Sequence, residues 1–370
     1  MRRPAAAIVA AALIAGAGCT DIPIGDGPRK AMVRRVVNEV ILPEHRELAA
    51  GAAALRDAAA ALAASPDAGH LDAAQDAWRA ARSPWMRAYA LRIGPVKDDL
   101  YAARMDQFPP DLARITAEIA GTAALTPEYV AAFGANKKGF HALELFLFDA
   151  AGGDPAVLAS LTDPTLGERR RQFVASAAAA LAADAAALDA AWEPGRGDFV
   201  DRVVDIGGDG PYATIKDATD AVVNDSVFLA ELILDAKLGR PMGKPTGGTP
   251  VPALVQSAPS DGGVDDMLDN LRGLRAVYEG DREPGGVDGG GVGALVARAS
   301  ATIDSRVRAE LTRAEAAVAA IPRPFAAAVE AQAPEVEAAW QATRELRFTV
   351  STELIAALGA TLSFNENDGD

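Results

Sequence analysis

Alanine-rich segments with helical spacing dominate this chain and restrict it to a helical fold. From Leu166 to Trp192 alanine is the most frequent residue, and alanine has the highest helix propensity of all residues. Aromatic residues make up only 5% of the chain. Another segment repeats apolar residues at alternating three- and four-residue steps, which is the pattern of a buried helical face: Leu71, Ala74, Trp78, Ala81, Trp85 and Ala88. We therefore predict an all-α fold.

The length of the chain predicts two helical-bundle domains. With 370 residues it exceeds the roughly 250–300 residues at which single cores stop growing. We expect an N-terminal domain over residues 30–160, a C-terminal bundle over residues 161–370, and a site where the two meet. Residues 239–264 are rich in glycine and proline and predict a long loop, which in a compact protein is usually functional or disordered.

The N-terminus has the features of an export signal. A basic start at Met1–Arg3 precedes a short apolar stretch, and small residues precede Cys19, the single cysteine. The stretch is too short to span a membrane. We predict a lipoprotein-type signal peptide over residues 1–18, acylation of Cys19 and a linker over residues 19–29. The mature protein would be a periplasmic or outer-membrane lipoprotein that contacts the membrane only through its lipid.

The charge of the chain excludes one class of partner. The formal net charge is −15, and an acidic protein is repelled by phosphate backbones. We therefore expect no nucleic-acid partner.

His141 and Glu144 form the most informative pair of polar residues. They are spaced three residues apart in an apolar helical segment, so their side chains share one helix face. They could bind one metal ion together, or Glu144 could orient the imidazole. Gly139, two residues earlier, permits close approach of a neighbouring backbone or ligand. A satisfied internal hydrogen-bonded pair is the alternative interpretation.

An arginine between two tryptophans marks a second candidate element. Arg82 lies on the face of Trp78 and Trp85, where it could stack on the indoles and hold an acidic ligand or a neighbouring carboxylate. Asp106, in a loop, is a further candidate metal ligand. His45 follows Pro43 in a first helical turn, where we expect it and Glu44 to be solvated.

The other histidines leave a zinc-peptidase motif incomplete. H-E-x-x-H is absent, and Leu145 follows Glu144 where H-x-x-E-H would need a histidine. A second histidine ligand could come only from His45 or His70.

Four segments together resemble the imelysin family, also known as the insulin-cleaving membrane protease family of bacterial envelope proteins. They are the G-x-H-x-x-E block at Gly139, His141 and Glu144, the Ala77–Pro95 helix with Trp78, Arg82 and Trp85, the Lys237–Pro252 segment, and the Leu358–Asp370 ending. The resemblance implies imelysin-like helical domains, a metal site at His141 and Glu144, and an association with bacterial iron uptake. The chain departs from the family pattern at Tyr89 and Gln256, where glutamate is common.

The sequence is compatible with three functions. The first is an envelope lipoprotein that binds a metal ion, with iron preferred and zinc or copper as alternatives, or a small acidic ligand, alongside other iron-uptake proteins. The second is a metal-dependent peptidase that uses Glu144 as its catalytic residue. The third is a metal-free binding or adaptor module. Mixed imidazole and carboxylate ligands suit iron, zinc and copper equally.

Overall fold

The computed structural model describes residues 24–283 and 289–363, and every regular element within these ranges is helical. The predicted all-α fold is confirmed. The predicted signal peptide and Cys19 lie outside the described residues. The α-helices are α1 Asp26–Arg35, α2 Leu42–Ala64, α3 Ala68–Ala88, α4 Pro95–Asp98, α5 Tyr101–Asp106, α6 Leu112–Ala120, α7 Pro127–Ala131, α8 Gly139–Leu147, α9 Gly153–Leu161, α10 Gly167–Trp192, α11 Phe199–Arg202, α12 Ile215–Glu231, α13 Gly263–Glu279, α14 Val292–Ala299, α15 Ala301–Ala319, α16 Phe325–Glu330, α17 Pro334–Phe348 and α18 Ile355–Leu358.

Three π-helical segments adjoin α-helices in the described part of the chain, and two of them join consecutive α-helices. They are Val36–Ile41 between α1 and α2, Leu232–Gly239 after α12, and Thr349–Leu354 between α17 and α18. Each wider turn shifts the helical register, and such segments are frequent at functional sites. Short 3₁₀ turns at Lys244–Thr246 and Pro252–Leu254 are the regular structure in the predicted loop 239–264, before α13 begins at Gly263.

The N-terminal half is built on α2, α3 and α10. Helix α2 packs against both α3 and α10, and α8 lies against α10 and α3. Helix α10 is apolar enough to cross a membrane by length and composition, but 61% of its apolar window is buried inside the protein. Its buried alanines, such as Ala177, Ala178 and Ala185, therefore serve as close-packed core positions.

The C-terminal half is organised around α13, which packs against α15, α12 and, from the first half, α3. Gly273 on α13 makes the last contact close, because an added Cβ would lie 2.1 Å from the carbonyl oxygen of Arg87. Buried apolar side chains from both halves form one continuous hydrophobic cluster. The boundary of the two domains at residue 160 stays a prediction.

Candidate functional site

Helix α8 positions the His141–Glu144 pair at the centre of a buried polar cluster. The two side chains face the same direction one turn apart, and Nδ1 of His141 lies 3.2 Å from Oε2 of Glu144. The helix begins at Gly139, whose φ is +82°. A Cβ on Gly139 would lie 2.4 Å from the carbonyl oxygen of Met105, so this glycine permits close approach of a backbone segment.

His141 contacts a carboxylate through each of its two ring nitrogens. Its Nε2 lies 3.3 Å from Oδ1 of Asp106, on the side opposite Glu144. The edge of the ring also packs on Phe108, with the ring centroids 5.1 Å apart. Nε2 also lies 3.4 Å from Nη2 of Arg82, so a neutral imidazole that donates from Nδ1 to Glu144 can accept a hydrogen bond from Arg82 at Nε2.

Arg82 connects this pair to the second half of the chain. Its Nε and Nη2 donate to the Asp266 carboxylate at 2.7–3.0 Å, and its Nη1 donates to Oδ1 of Asp106 at 2.7 Å. Burial acts against the guanidinium charge, but Asp106 and Asp266 outweigh it and hold the pKa of Arg82 above its usual value. Arg82 thus holds two neighbouring carboxylates, and they occupy all three of its nitrogens.

The two tryptophans on α3 have different surroundings. Trp78 lies under the guanidinium of Arg82, 5.4 Å from it, and its Nε1 donates to the carbonyl oxygen of Phe140. It therefore forms a wall of the cluster. Trp85 is also buried but packs edge-on against Tyr89, with centroids 5.3 Å apart.

A loop from the second half closes over Glu144 and Asp266. Both the backbone N–H and the hydroxyl of Ser260 donate to Oε1 of Glu144, at 3.1 and 2.6 Å. The hydroxyl of Ser257 donates to Asp266 at 2.7 Å. Ser257 and Asp261 both have positive φ values, +53° and +52°, a conformation that non-glycine residues adopt at a cost. We call residues 257–261 the closing loop.

Sequence reasoning missed Ser257, Ser260 and Asp266 as members of the cluster. The usable signal was the glycine- and proline-rich segment that precedes α13, which predicted a long loop, functional or disordered, without identifying its side chains. Asp266 gave no local signal, because it is one of several aspartates at the start of an ordinary helix.

The five ionisable side chains of the cluster are almost completely buried. Their exposed fractions are 2–8% for Arg82, Asp106, His141, Glu144 and Asp266. Two cavities approach the cluster. One of about 450 Å³ is bordered by Arg82, Asp266 and Ser260. A second of about 280 Å³ is bordered by Asp106 and Phe108, together with Tyr89 and Gln256, where the family commonly has glutamate.

The cluster offers a metal ion two protein ligands on one side of the imidazole. The 3.2 Å separation of Nδ1 and Oε2 suits two atoms that each bind a metal at about 2.1 Å. Asp106 lies at the opposite nitrogen, beside the Arg82 guanidinium, so it cannot join the same ion in this arrangement. In the described part of the chain no three His, Cys, Asp or Glu residues are grouped closely enough to hold a metal.

The other two histidines lie away from this cluster. His70 lies in the first turn of α3, where its Nδ1 lies 2.8 Å from the carboxylate of Asp67, the residue that caps the helix. The expectation that His45 and Glu44 are solvated is wrong, because both are buried on α2. The His45 ring packs edge-on against Trp192 with centroids 4.9 Å apart. His45 lies on the face of α2 that packs against α10. The expectation that polar residues of a first helical turn are solvated does not take this tertiary contact into account.

Comparison with known proteins gives consistent matches over most of the chain. The curated protein "Iron-regulated protein A" of Synechococcus elongatus is 28% identical over 296 residues, which is 79% of this chain and 76% of the relative.

Two solved structures share the fold. A candidate iron-regulated protein A precursor from Parabacteroides distasonis has a TM-score of 0.80 at 20% identity, covering 91% of this chain and 96% of that one. An Imelysin-like protein from Psychrobacter arcticum has a TM-score of 0.70 at 17% identity, with coverage of 92% and 98%. The family model described as Peptidase_M75, Imelysin, matches residues 41–350. The chain therefore belongs to the imelysin family.

Proposed function

We propose that this chain is an exported metal-binding protein with an iron-associated role, and that the buried cluster around His141 is its binding site. The observation that carries the proposal is the convergence of five ionisable side chains in the interior beside two cavities. Buried ion pairs add little net stability over apolar packing, so a purely structural role explains such a cluster poorly.

The charges of the cluster favour a cation as the ligand. The cluster holds three carboxylates and one guanidinium, and Arg82 donates to two of the carboxylates, Asp106 and Asp266. The third, Glu144, lies beside Nδ1 of His141. His141 and Glu144 would hold the ion, and its remaining positions would be left to water or to groups that accompany the metal. Iron is the first candidate, because a relative is named for iron regulation, and zinc and copper are accepted by the same ligand types.

A small acidic ligand at Arg82 is less well supported. Every nitrogen of the Arg82 guanidinium already donates to Asp106 or Asp266. An acidic ligand there would have to displace one of these carboxylates.

The geometry gives less support to peptidase activity. Both oxygens of Glu144 accept hydrogen bonds, from Ser260 and from His141, and its side chain is 2% exposed. A general base must reach the water or group that it deprotonates. Chelator-sensitive cleavage of a protein substrate that disappears in Glu144→Gln would favour the peptidase over the binding role. A metal-free adaptor would instead bind an envelope protein, such as an iron-uptake component, in the presence of chelator.

Metal titration by calorimetry tests the proposed function. Purified protein freed of metal is titrated with Fe²⁺ without oxygen, and separately with Zn²⁺ and Cu²⁺. We expect stoichiometric binding, weakened at least about ten-fold in His141→Ala and in Glu144→Gln, because each variant removes one of two protein ligands.

Two further variants separate the metal site from its surroundings. Asp106→Asn should weaken binding less than Glu144→Gln, since Asp106 faces the other ring nitrogen. His70→Ala, at the exposed start of α3, should bind like the parent. Equal affinity of His141→Ala and the parent, or no binding by the parent, would refute the assignment.

A further inference from the structure

The cavity on the Asp106 side of the cluster has a wall with more positive than negative groups. Its volume is about 280 Å³, slightly below the range of about 300–1,000 Å³ that suits drug-sized ligands, so it fits a compact molecule. Its lining residues include three basic side chains and one acidic one: Lys237, Arg92, Arg240 and Asp106.

Lys237 is the most unusual of these side chains. It lies in the π-helical segment Leu232–Gly239 and is 5% exposed. Its Nζ donates to the sulfur of Met86 at 3.6 Å, and a thioether is a weak acceptor. Among the described residues no carboxylate lies within ion-pair distance of this ammonium. Burial lowers the pKa of Lys237 and outweighs the opposite effect of the more distant carboxylates of Asp266 and Asp106, so an anion in the cavity would stabilise the charged form of Lys237.

The acidic side of the cavity is already neutralised. Asp106 accepts a hydrogen bond from Arg82 at 2.7 Å, which leaves little of its charge to balance Lys237. Tyr89 and Gln256 also line the cavity, and neither contributes a carboxylate. The electrostatic environment therefore favours an anion beside Lys237.

Asn270 supplies an acceptor on the same wall. It is completely buried, and its Nδ2 donates to the carbonyl oxygen of Met86 at 2.7 Å. Its Oδ1 has no hydrogen-bond partner within the described ranges. A buried acceptor without a donor is destabilising, and a ligand hydroxyl would remove that penalty.

We propose that this cavity binds a small hydroxycarboxylate, with a carboxylate group beside Lys237 and a hydroxyl that donates to Asn270. The positive wall selects the carboxylate, and the unsatisfied amide oxygen selects the hydroxyl. The site is separate from the metal ligands, because neither His141 nor Glu144 lines the cavity.

Calorimetry with matched probes tests this site on metal-free protein. Citrate serves as the hydroxycarboxylate, tricarballylate as the same tricarboxylate without the hydroxyl, and inorganic phosphate as an unrelated anion. We expect citrate to bind most tightly and tricarballylate at least about five-fold more weakly, because it leaves Asn270 unsatisfied.

Two substitutions should weaken citrate binding, each for a different reason. Lys237→Met removes the buried charge and should weaken citrate binding at least about ten-fold, the scale of a lost charge-assisted hydrogen bond. Gln256→Glu keeps the side-chain shape but adds a negative charge to the wall, and should have a similar effect. The melting temperature of each variant shows whether it folds.

The control variants carry the same two types of substitution at positions outside the cavity. Lys244→Met removes a lysine that pairs with Glu337, and Gln172→Glu adds a charge on the exposed face of α10. Both should bind citrate like the parent. Failure of the folded parent to bind citrate, equal binding of citrate and phosphate, or unchanged affinity in folded Lys237→Met would overturn the proposal. None of these results depends on metal binding at His141.

Discussion

His45 and His141 are both buried, and their surroundings determine what each can do. His141 has a carboxylate at each ring nitrogen. Neither ring nitrogen of His45 has a hydrogen-bond partner among the described residues. An imidazolium at His45 would therefore be an uncompensated buried charge. His45 acts as an apolar ring in the core, whereas His141 is part of a charged network.

The burial of His45 predicts a pH dependence of stability. Burial lowers its pKa from 6.5 to about 3, so below pH 6.5 the unfolded chain binds a proton that the folded chain does not. The free energy of unfolding therefore rises with pH between about 3 and 6.5 and falls on acidification, by up to about 1.4 kcal/mol per pH unit.

Urea denaturation at several pH values measures this contribution. Between pH 7 and pH 5 the parent should lose about 2 kcal/mol more stability than His45→Leu, which has no titrating group at that position. Carboxylates titrate in both proteins and cancel in the difference. Parallel curves for the parent and His45→Leu would contradict the prediction.

At the scale of elements, the position of α8 depends on its first residue. Gly139 combines a left-handed backbone with close contact to the carbonyl group of Met105. Helix α8 has only nine residues, so its placement depends on packing more than on its own propensity. The contact at Gly139 therefore helps to set the distance from His141 to Asp106, which ends α5.

Gly139→Ala should be strongly destabilising. The added Cβ would lie 2.4 Å from the Met105 oxygen and would require an unfavourable φ, for a loss of about 2 kcal/mol or more in the free energy of unfolding. Gly134→Ala is the matched control, because Gly134 has a φ of −58° and its Cβ would meet nothing closer than 3.5 Å. Chemical denaturation compares the two, and equal stabilities would exclude a role for close approach at Gly139.

The π-helical segments show what periodicity leaves out at this scale. Helix α12 ends at Glu231 and continues directly into the π-helical segment Leu232–Gly239. The local widening changes which residues face inward. Lys237 is buried at the cavity as part of this segment, and a constant helical period does not predict that placement.

At the scale of the whole molecule, the Arg82–Asp266 pair connects the two halves through the interior. The two residues are 184 positions apart in sequence. Burial alone would raise the pKa of Asp266, but Arg82 and then Lys237 outweigh it and lower that pKa. Ser260 of the closing loop adds two further hydrogen bonds across the same boundary, from its backbone N–H and its hydroxyl to Glu144.

Neighbouring aspartates on α13 allow this connection to be tested. Asp266→Asn leaves a buried guanidinium short of one charge partner, and we expect a loss of about 3–5 kcal/mol in the free energy of unfolding. Asp265→Asn alters an ion pair with Arg323 in which the two side chains are 63% and 41% exposed, and should cost at most about 1 kcal/mol. Urea denaturation measures both. Similar small losses would mean that the pair contributes little to joining the halves.

By itself the sequence determined the helical class, the extents of the long helices, the His141–Glu144 spacing and the family. These are local properties, since helix propensity, capping and i, i+3 geometry act over a few residues. Only the tertiary structure decided that all three guanidinium nitrogens of Arg82 would donate to Asp106 and Asp266. It also decided that Ser260 would donate to Glu144 and that His45 would be buried. Those contacts join segments far apart in the chain, and they are set by how helices pack, which periodicity along one helix does not encode.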